Sequence, residues 1–291
     1  MNSTLENRID ICDRLRSKTA DIFAEILLEN KILSEVSFRE NIISKLSEDK
    51  NIYKEGWYNP PPFGVGVLFG SSSDSSRLSF KTLRKEEFWP REDCFFRKES
   101  IGLLYASPVD VKTATIGDFG VMAYNGTNLK IQEHLIKCLE VLEKIAEFAE
   151  VGMEFGEVCR QSQKLLEQYG LARSPIILQS SVTQYNIGHT VPWSYEDPTE
   201  EEQKIIEGGN FNEIKNLISR KRIYLNPEEK FKIPPTIAFT TEIRIKSEQD
   251  ITLPNTYFHM IVCFKNGQKK ILGNFNPVFK ALGMNFIKSK Y

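Results

Sequence analysis

The stretch Tyr185–Pro198, YNIGHTVPWSYEDP, decides how the rest of this chain is read. The sequence has only three histidines, His134, His189 and His259. One of them stands here behind a glycine. Proline, tryptophan, tyrosine and two acids follow it closely. A lone histidine in a globular chain is more often a satisfied core residue than a catalyst. Its surroundings in the sequence must therefore supply the distinction.

The chain has 291 residues, enough for one large or two moderate domains. Its hydrophobic fraction of 41% and charged fraction of 26% are ordinary for a globular protein. A formal net charge of −1 creates no global field for nucleic acid or an anionic membrane, so neither is expected as a partner. The five cysteines, Cys12, Cys94, Cys138, Cys159 and Cys263, are odd in number and form no C-x-x-C pair. That argues against a disulfide framework and a zinc knuckle and for a reducing, cytoplasmic setting. The opening MNSTLENRIDICDRLRSK is too polar for a signal peptide, and no apolar run approaches a bilayer span.

Outward from the central stretch, the spacing predicts helices and strands in alternating blocks. Leu5 to Glu29 carries three-four apolar spacing, and a second helix is expected after Ser37 as N-cap. GWYNPPPFG cannot be helical, because consecutive prolines lack amide donors. Val65 to Gly70 reads as a buried strand. Ile101–Ser107 and Lys112–Asn125 read as a hairpin, followed by helices from Asn128 to Glu150 and from Gly156 to Tyr169, with Gly170 as stop. Further strands are expected at Pro175–Tyr185, Thr236–Ile245, Thr256–Phe264 and Lys269–Asn274, the last two joined by the turn signal KNG. Residues 199–233 form a charged, helix-rich insert, read as a solvated surface excursion, with a lid or dimer arm as the alternatives. The order implies an α+β fold in one domain, with an N-terminal half at 1–95 and a C-terminal half at 96–291.

Four pieces of the second half resemble one family, the pita-bread fold of methionine aminopeptidases, Xaa-Pro aminopeptidases and creatinase. GHTVPWSYEDP (Gly188–Pro198) resembles its GHGxG…HExP signature. IAFTTEIRI (Ile237–Ile245) looks like its FTIEPGI strand. TYFHMIVCFKNGQKKIL (Thr256–Leu272) is similar to YEHTVLVTxNGxExL. GDFGVMAYNG (Gly117–Gly126), a long helix and EVGMEFGEV (Glu150–Val158) resemble SDxTRTFxxG, a helix and KPGxTxxEV. The resemblance covers roughly Ile101 to Leu272. It implies pseudo-twofold halves with a curved antiparallel sheet covered by helices.

The resemblance also implies a site. Typical members hold two divalent metals with two Asp, one His and two Glu. Asp118, His189 and Glu242 match three of these five positions. The first Asp falls on Ser107, and Asp110, three residues on, faces the opposite side after an odd register shift. The last Glu falls on Phe258, with His259 expected on the other face by alternation. Tyr195 replaces the second signature histidine. The ligand set is thus incomplete, and a two-metal centre is not expected.

The resulting expectation is an enzyme with no resident cofactor, working by acid–base chemistry on a small amino-acid-like or peptide-like substrate. Hydrolysis and related C–N or C–C cleavage stay open. His189 would carry the proton, Asp118 and Glu242 would support it, and Tyr195 would donate a hydrogen bond. Phe258, Trp193 and Ser107 are candidate walls of the substrate pocket. Two alternatives remain: a catalytically inactive module that binds a peptide or protein, and a metallo-aminopeptidase with a single divalent ion on Asp118, His189 and Glu242. The oligomeric state is left open.

Overall fold

The apolar spacing that begins at Leu5 folds as one long helix, α1 (Leu5–Glu29), whose buried face includes Ile9, Leu15, Phe23 and Ile26. The computed structural model describes residues 4–29, 32–174 and 186–291. After β1 (Leu33–Ser34) comes α2 (Glu35–Ser47). Its N-cap is Ser34 and not Ser37: the Ser34 hydroxyl accepts from the Ser37 N–H at 3.0 Å, so Ser37 already lies within the first turn. Then follow β2 (Val65–Ser71), β3 (Phe95–Phe96), β4 (Ser100–Ala106) and β5 (Phe119–Asn125). The two long helices are α3 (Leu129–Phe148), capped by Asn128, and α4 (Phe155–Gln168), after which Gly170 takes the left-handed conformation at φ 63°.

The remaining elements are β6 (Leu171–Arg173), α5 (Glu200–Gly208), α6 (Phe211–Lys221), β7 (Ile237–Thr241), β8 (Arg244–Ser247), β9 (Thr256–Tyr257), β10 (Met260–Lys265), β11 (Gln268–Leu272) and α7 (Asn276–Ala281). Three antiparallel sheets have the orders β2-β4-β5, β11-β10-β7 and β6-β8-β9, and β1 pairs with β3. The KNG turn joins β10 to β11 with positive φ at Asn266 and Gly267.

Three expectations need correction. The second hairpin strand begins at Phe119, not Lys112, because Asp110 folds the chain into a turn. Its carboxylate accepts from the N–H groups of Lys112 at 3.1 Å and Thr113 at 3.0 Å. The expected strands at 236–245 and 256–264 each break once, at Glu242–Ile243 and at Phe258–His259. The insert is no merely solvated excursion: α5 and α6 bury Ile206, Ile214, Leu217 and Ile218 in a second apolar cluster with Trp57 and Trp193. The expected strand at 175–185 lies outside the described residues.

The sheets meet around the two breaks. The His259 N–H donates to the Gly120 carbonyl at 2.9 Å. A Cβ on Gly120 would stand 2.5 Å from the Tyr257 ring, so only glycine permits this crossing. Along the edge of β7, the Thr240 N–H donates to the His189 carbonyl and the Val191 N–H to the Ala238 carbonyl, both at 2.8 Å. The other side of the same stretch pairs with the insert's return, residues 223–225: Thr190 N–H to Ile223 carbonyl and Leu225 N–H to Gly188 carbonyl, both at 2.9 Å. His189 is thereby clamped between β7 and the end of the insert. Among the described residues no helix is long and apolar enough to cross a membrane.

Candidate active site

Asp118, His189 and Glu242 converge. The His189 Nε2 lies 3.4 Å from Glu242 Oε1 and 3.9 Å from Asp118 Oδ2. Asp118 stands immediately before β5, His189 on the strip beside β7, and Glu242 in the break between β7 and β8. Gly188 makes the approach possible, since a Cβ there would lie 1.9 Å from the Thr240 carbonyl oxygen. The His189 N–H then donates to the Thr240 hydroxyl at 2.9 Å.

The imidazole tautomer follows from its partner. His189 Nδ1 is 3.0 Å from the Thr190 carbonyl oxygen, which can only accept. Nδ1 therefore carries the hydrogen, and neutral His189 turns its Nε2 lone pair toward the two acids. A lone pair facing two carboxylates repels them unless one proton lies between. The charge distribution supplies it. Burial and then the neighbouring Asp118 charge push the Glu242 carboxyl up to about 7. Burial pushes Asp118 up to about 6, although the Trp57 indole N–H donates to its Oδ1 at 2.7 Å. Burial and then the Arg222 cation hold His189 well below the ordinary imidazole range. Burial and the neighbouring charges thus favour a proton on Glu242 over one on the Nε2 of His189.

Tyrosines complete the polar lining. The Tyr105 hydroxyl donates to Asp118 Oδ1 at 3.2 Å, and the Tyr257 hydroxyl donates to Glu242 Oε2 at 2.9 Å. Burial raises both phenols well above the ordinary range, so both remain donors. Beside these groups lies a cavity of about 50 Å³. Its apolar wall includes Trp57, Phe80, Leu83 and Leu103, and its polar wall is His189, Glu242, Tyr105, Tyr257 and Arg222.

Arg222 is the residue that spacing did not reveal. It is buried, and its guanidinium stacks 4.1 Å from the Trp57 ring centre and 5.3 Å from that of Tyr224. Arg222 and Tyr224 leave the end of α6 on the strand-like return, in the alternating run Arg-Ile-Tyr-Leu. That alternation is the signal that could have placed two polar side chains on one face beside His189.

Several expected site residues lie elsewhere. Phe258 turns away and packs on Phe275 at 5.5 Å and Phe279 at 6.2 Å, while its neighbours Tyr257 and His259 face the acids. The His259 Nε2 is 3.8 Å from Glu242 Oε2, and its Nδ1 contacts the buried Arg16. Alternation holds along this stretch, but the face turned to the acids is the one expected to point away. Trp193 is fully buried under α5, with its indole N–H donating to Glu202 at 3.1 Å. Tyr195 packs on Phe231 and reaches the Lys221 carbonyl at 3.5 Å; burial pushes its phenol up to about 12. Ser107 donates to the Gly64 carbonyl at 3.2 Å and accepts from the Tyr58 N–H at 3.1 Å. None of Phe258, Trp193, Tyr195 and Ser107 lines the cavity. Asp110, engaged in its turn, ion-pairs with Arg14 at 3.2 Å.

Hydrogen-bond donors and a cation already engage the two acids. Asp118 Oδ1 is held by Trp57 and Tyr105, Glu242 Oε2 by Tyr257, and a guanidinium already lies beside them. Among the described residues no group of three or more His, Cys, Asp or Glu is arranged to hold a metal ion.

No family model and no curated protein sequence matches the chain. Solved structures do. The methionine aminopeptidase of Rickettsia prowazekii superposes with a TM-score of 0.59 at 10% identity, covering 92% of this chain and 97% of that one. That of Thermotoga maritima gives 0.58 at 13% identity, covering 89% and 93%. The X-Pro aminopeptidase of Thermotoga maritima gives 0.58 at 9% identity, covering 92% of this chain but only 61% of its own. The chain thus spans about three fifths of that longer enzyme. Helices and antiparallel sheets arranged in this way over nine tenths of its length give the chain the pita-bread fold.

Proposed function

We propose that this chain is an enzyme that carries out acid–base chemistry without a metal on a small amino-acid-like or peptide-like substrate. One observation carries the reading: a carboxyl group with its pKa near 7 faces the Nε2 lone pair of His189 at 3.4 Å beside an apolar cavity. A proton donor poised near neutral pH next to a base is costly to maintain and suits general acid–base catalysis. The structural likeness to aminopeptidases supports a peptidase-like reaction.

In hydrolysis of a C–N bond, His189 Nε2 takes a proton from water as the water oxygen adds to the carbonyl carbon. Glu242, in its acid form, gives its proton to the departing nitrogen. The proton on His189 then returns to the Glu242 carboxylate. Arg222 and Tyr105 sit where they stabilise negative charge that develops in the cavity. Five free cysteines, four of them buried, favour a reducing, cytoplasmic setting for this chemistry.

The test is a screen of small amides, dipeptides and amino-acid derivatives in the presence of a strong chelator. Turnover is expected to survive chelation and to fall by about a hundredfold or more in Glu242→Gln and in His189→Gln. Turnover that disappears with chelator and returns with added metal would refute the reading. A second reading rests on the cavity volume: about 50 Å³ does not admit a dipeptide without movement. Absence of turnover with tight peptide binding would favour a non-catalytic pita-bread module.

A further inference from the structure

We propose that Arg222 is the resident cation of this pocket and that its charge is what excludes a divalent metal from Asp118, His189 and Glu242. The inference rests on the metal-free reading and goes beyond it by naming the residue responsible.

Two buried carboxylates and an imidazole converge here, with side chains of Asp118 and His189 each 2% exposed and that of Glu242 14% exposed; of the three, His189 and Glu242 line the cavity. Such a group needs positive charge. Arg222 lines the same cavity. Among the described residues it forms no ion pair with a carboxylate, and its buried Nε has no hydrogen-bond partner. Aromatic faces hold it instead. The Trp57 ring that carries the guanidinium is also the ring whose N–H binds Asp118. The carboxylate thereby makes the indole face more electron-rich and a better seat for a cation.

The insert positions this cation. Its return stretch pairs with the His189 strip through three backbone hydrogen bonds, which fixes where Arg222 enters. Removing the guanidinium would take one of two buried cations from this neighbourhood; Arg16, which donates to the Asp118 carbonyl and contacts His259 Nδ1, would remain. In general, a like unit charge about 10 Å from a dication, at an effective dielectric constant near 20, weakens its binding by about a hundredfold or more.

The experiment is equilibrium dialysis and visible absorption with Co²⁺ on the full chain, for wild type, Arg222→Met, Arg222→Gln and Arg222→Lys. Circular dichroism first establishes which variants are folded. Arg222→Met and Arg222→Gln are expected to bind one Co²⁺ at least about a hundredfold more tightly than wild type. Arg222→Lys, which keeps the charge, is expected to behave as wild type. In Arg222→Gln, adding Asp118→Asn or His189→Ala is expected to abolish the new binding. If folded neutral variants gain no affinity, the role of Arg222 is refuted while the acid–base reading stands. If neither neutral variant folds, Arg222 is a structural cation and the proposal is likewise overturned. If wild type itself binds Co²⁺ tightly, both readings fall.

Discussion

Replacing Glu242 with glutamine separates the cost of the buried acid from its chemistry. In the folded chain the Glu242 carboxyl titrates near 7, against an ordinary value of 4.5. The folded state thus holds a proton that the unfolded chain releases. The stability this contributes is complete below about pH 4.5 and is lost as pH rises through 7. The gap of about 2.5 pH units corresponds to about 3 kcal/mol once the acid is fully ionised. The glutamine side chain is a neutral isostere of the protonated acid. Its amide can donate to His189 Nε2 and its oxygen can accept from Tyr257. The Glu242→Gln variant should therefore equal wild type in stability near pH 4.5. Its advantage should grow through about pH 5 to 7 and level off at about 3 kcal/mol near pH 8. Urea denaturation at several pH values reads this directly; acids distant from Glu242 cancel in the difference, and Asp118, whose charge acts on Glu242, does not. A flat difference would refute the argument. So would a variant that becomes relatively weaker with rising pH, because that would mean the carboxylate is held by a stronger cation than the pocket contains.

Three further outcomes follow from named contacts. Tyr257→Phe removes the hydroxyl that donates to Glu242 Oε2, so the carboxyl should titrate higher, by about one pH unit, in carbon-detected NMR. Gly188→Ala places a methyl 1.9 Å from the Thr240 carbonyl and should cost about 3 kcal/mol or prevent folding, read by the thermal transition. Arg16 donates to the carbonyls of His259, Leu272 and Gly273 and contacts His259 Nδ1. Arg16→Lys keeps the charge but not the fork, and should destabilise the fold by about 3 kcal/mol in denaturant titration.

Much of this molecule is legible in one dimension. The helices α1, α3 and α4 follow from three-four spacing, and the KNG hairpin follows from residues that tolerate positive φ. Both are local properties of the chain. Asp118, His189 and Glu242 could also be paired from the sequence, because each sits in a short motif whose order is preserved. Ser107, Tyr195, Trp193 and Phe258 show where that reasoning stops. Alternation assigns two faces but not which face is the pocket, and a shift of one residue exchanged Phe258 for Tyr257 and His259. Arg222 lay hidden in an insert whose charged composition reads as a solvated surface. Only the hydrogen bonds from its return strand to the His189 strip bring it to the site. The position of the proton is likewise a tertiary matter. Burial and the neighbouring Asp118 charge raise the Glu242 carboxyl through space, and neither burial nor distance is written in the spacing of residues along a chain.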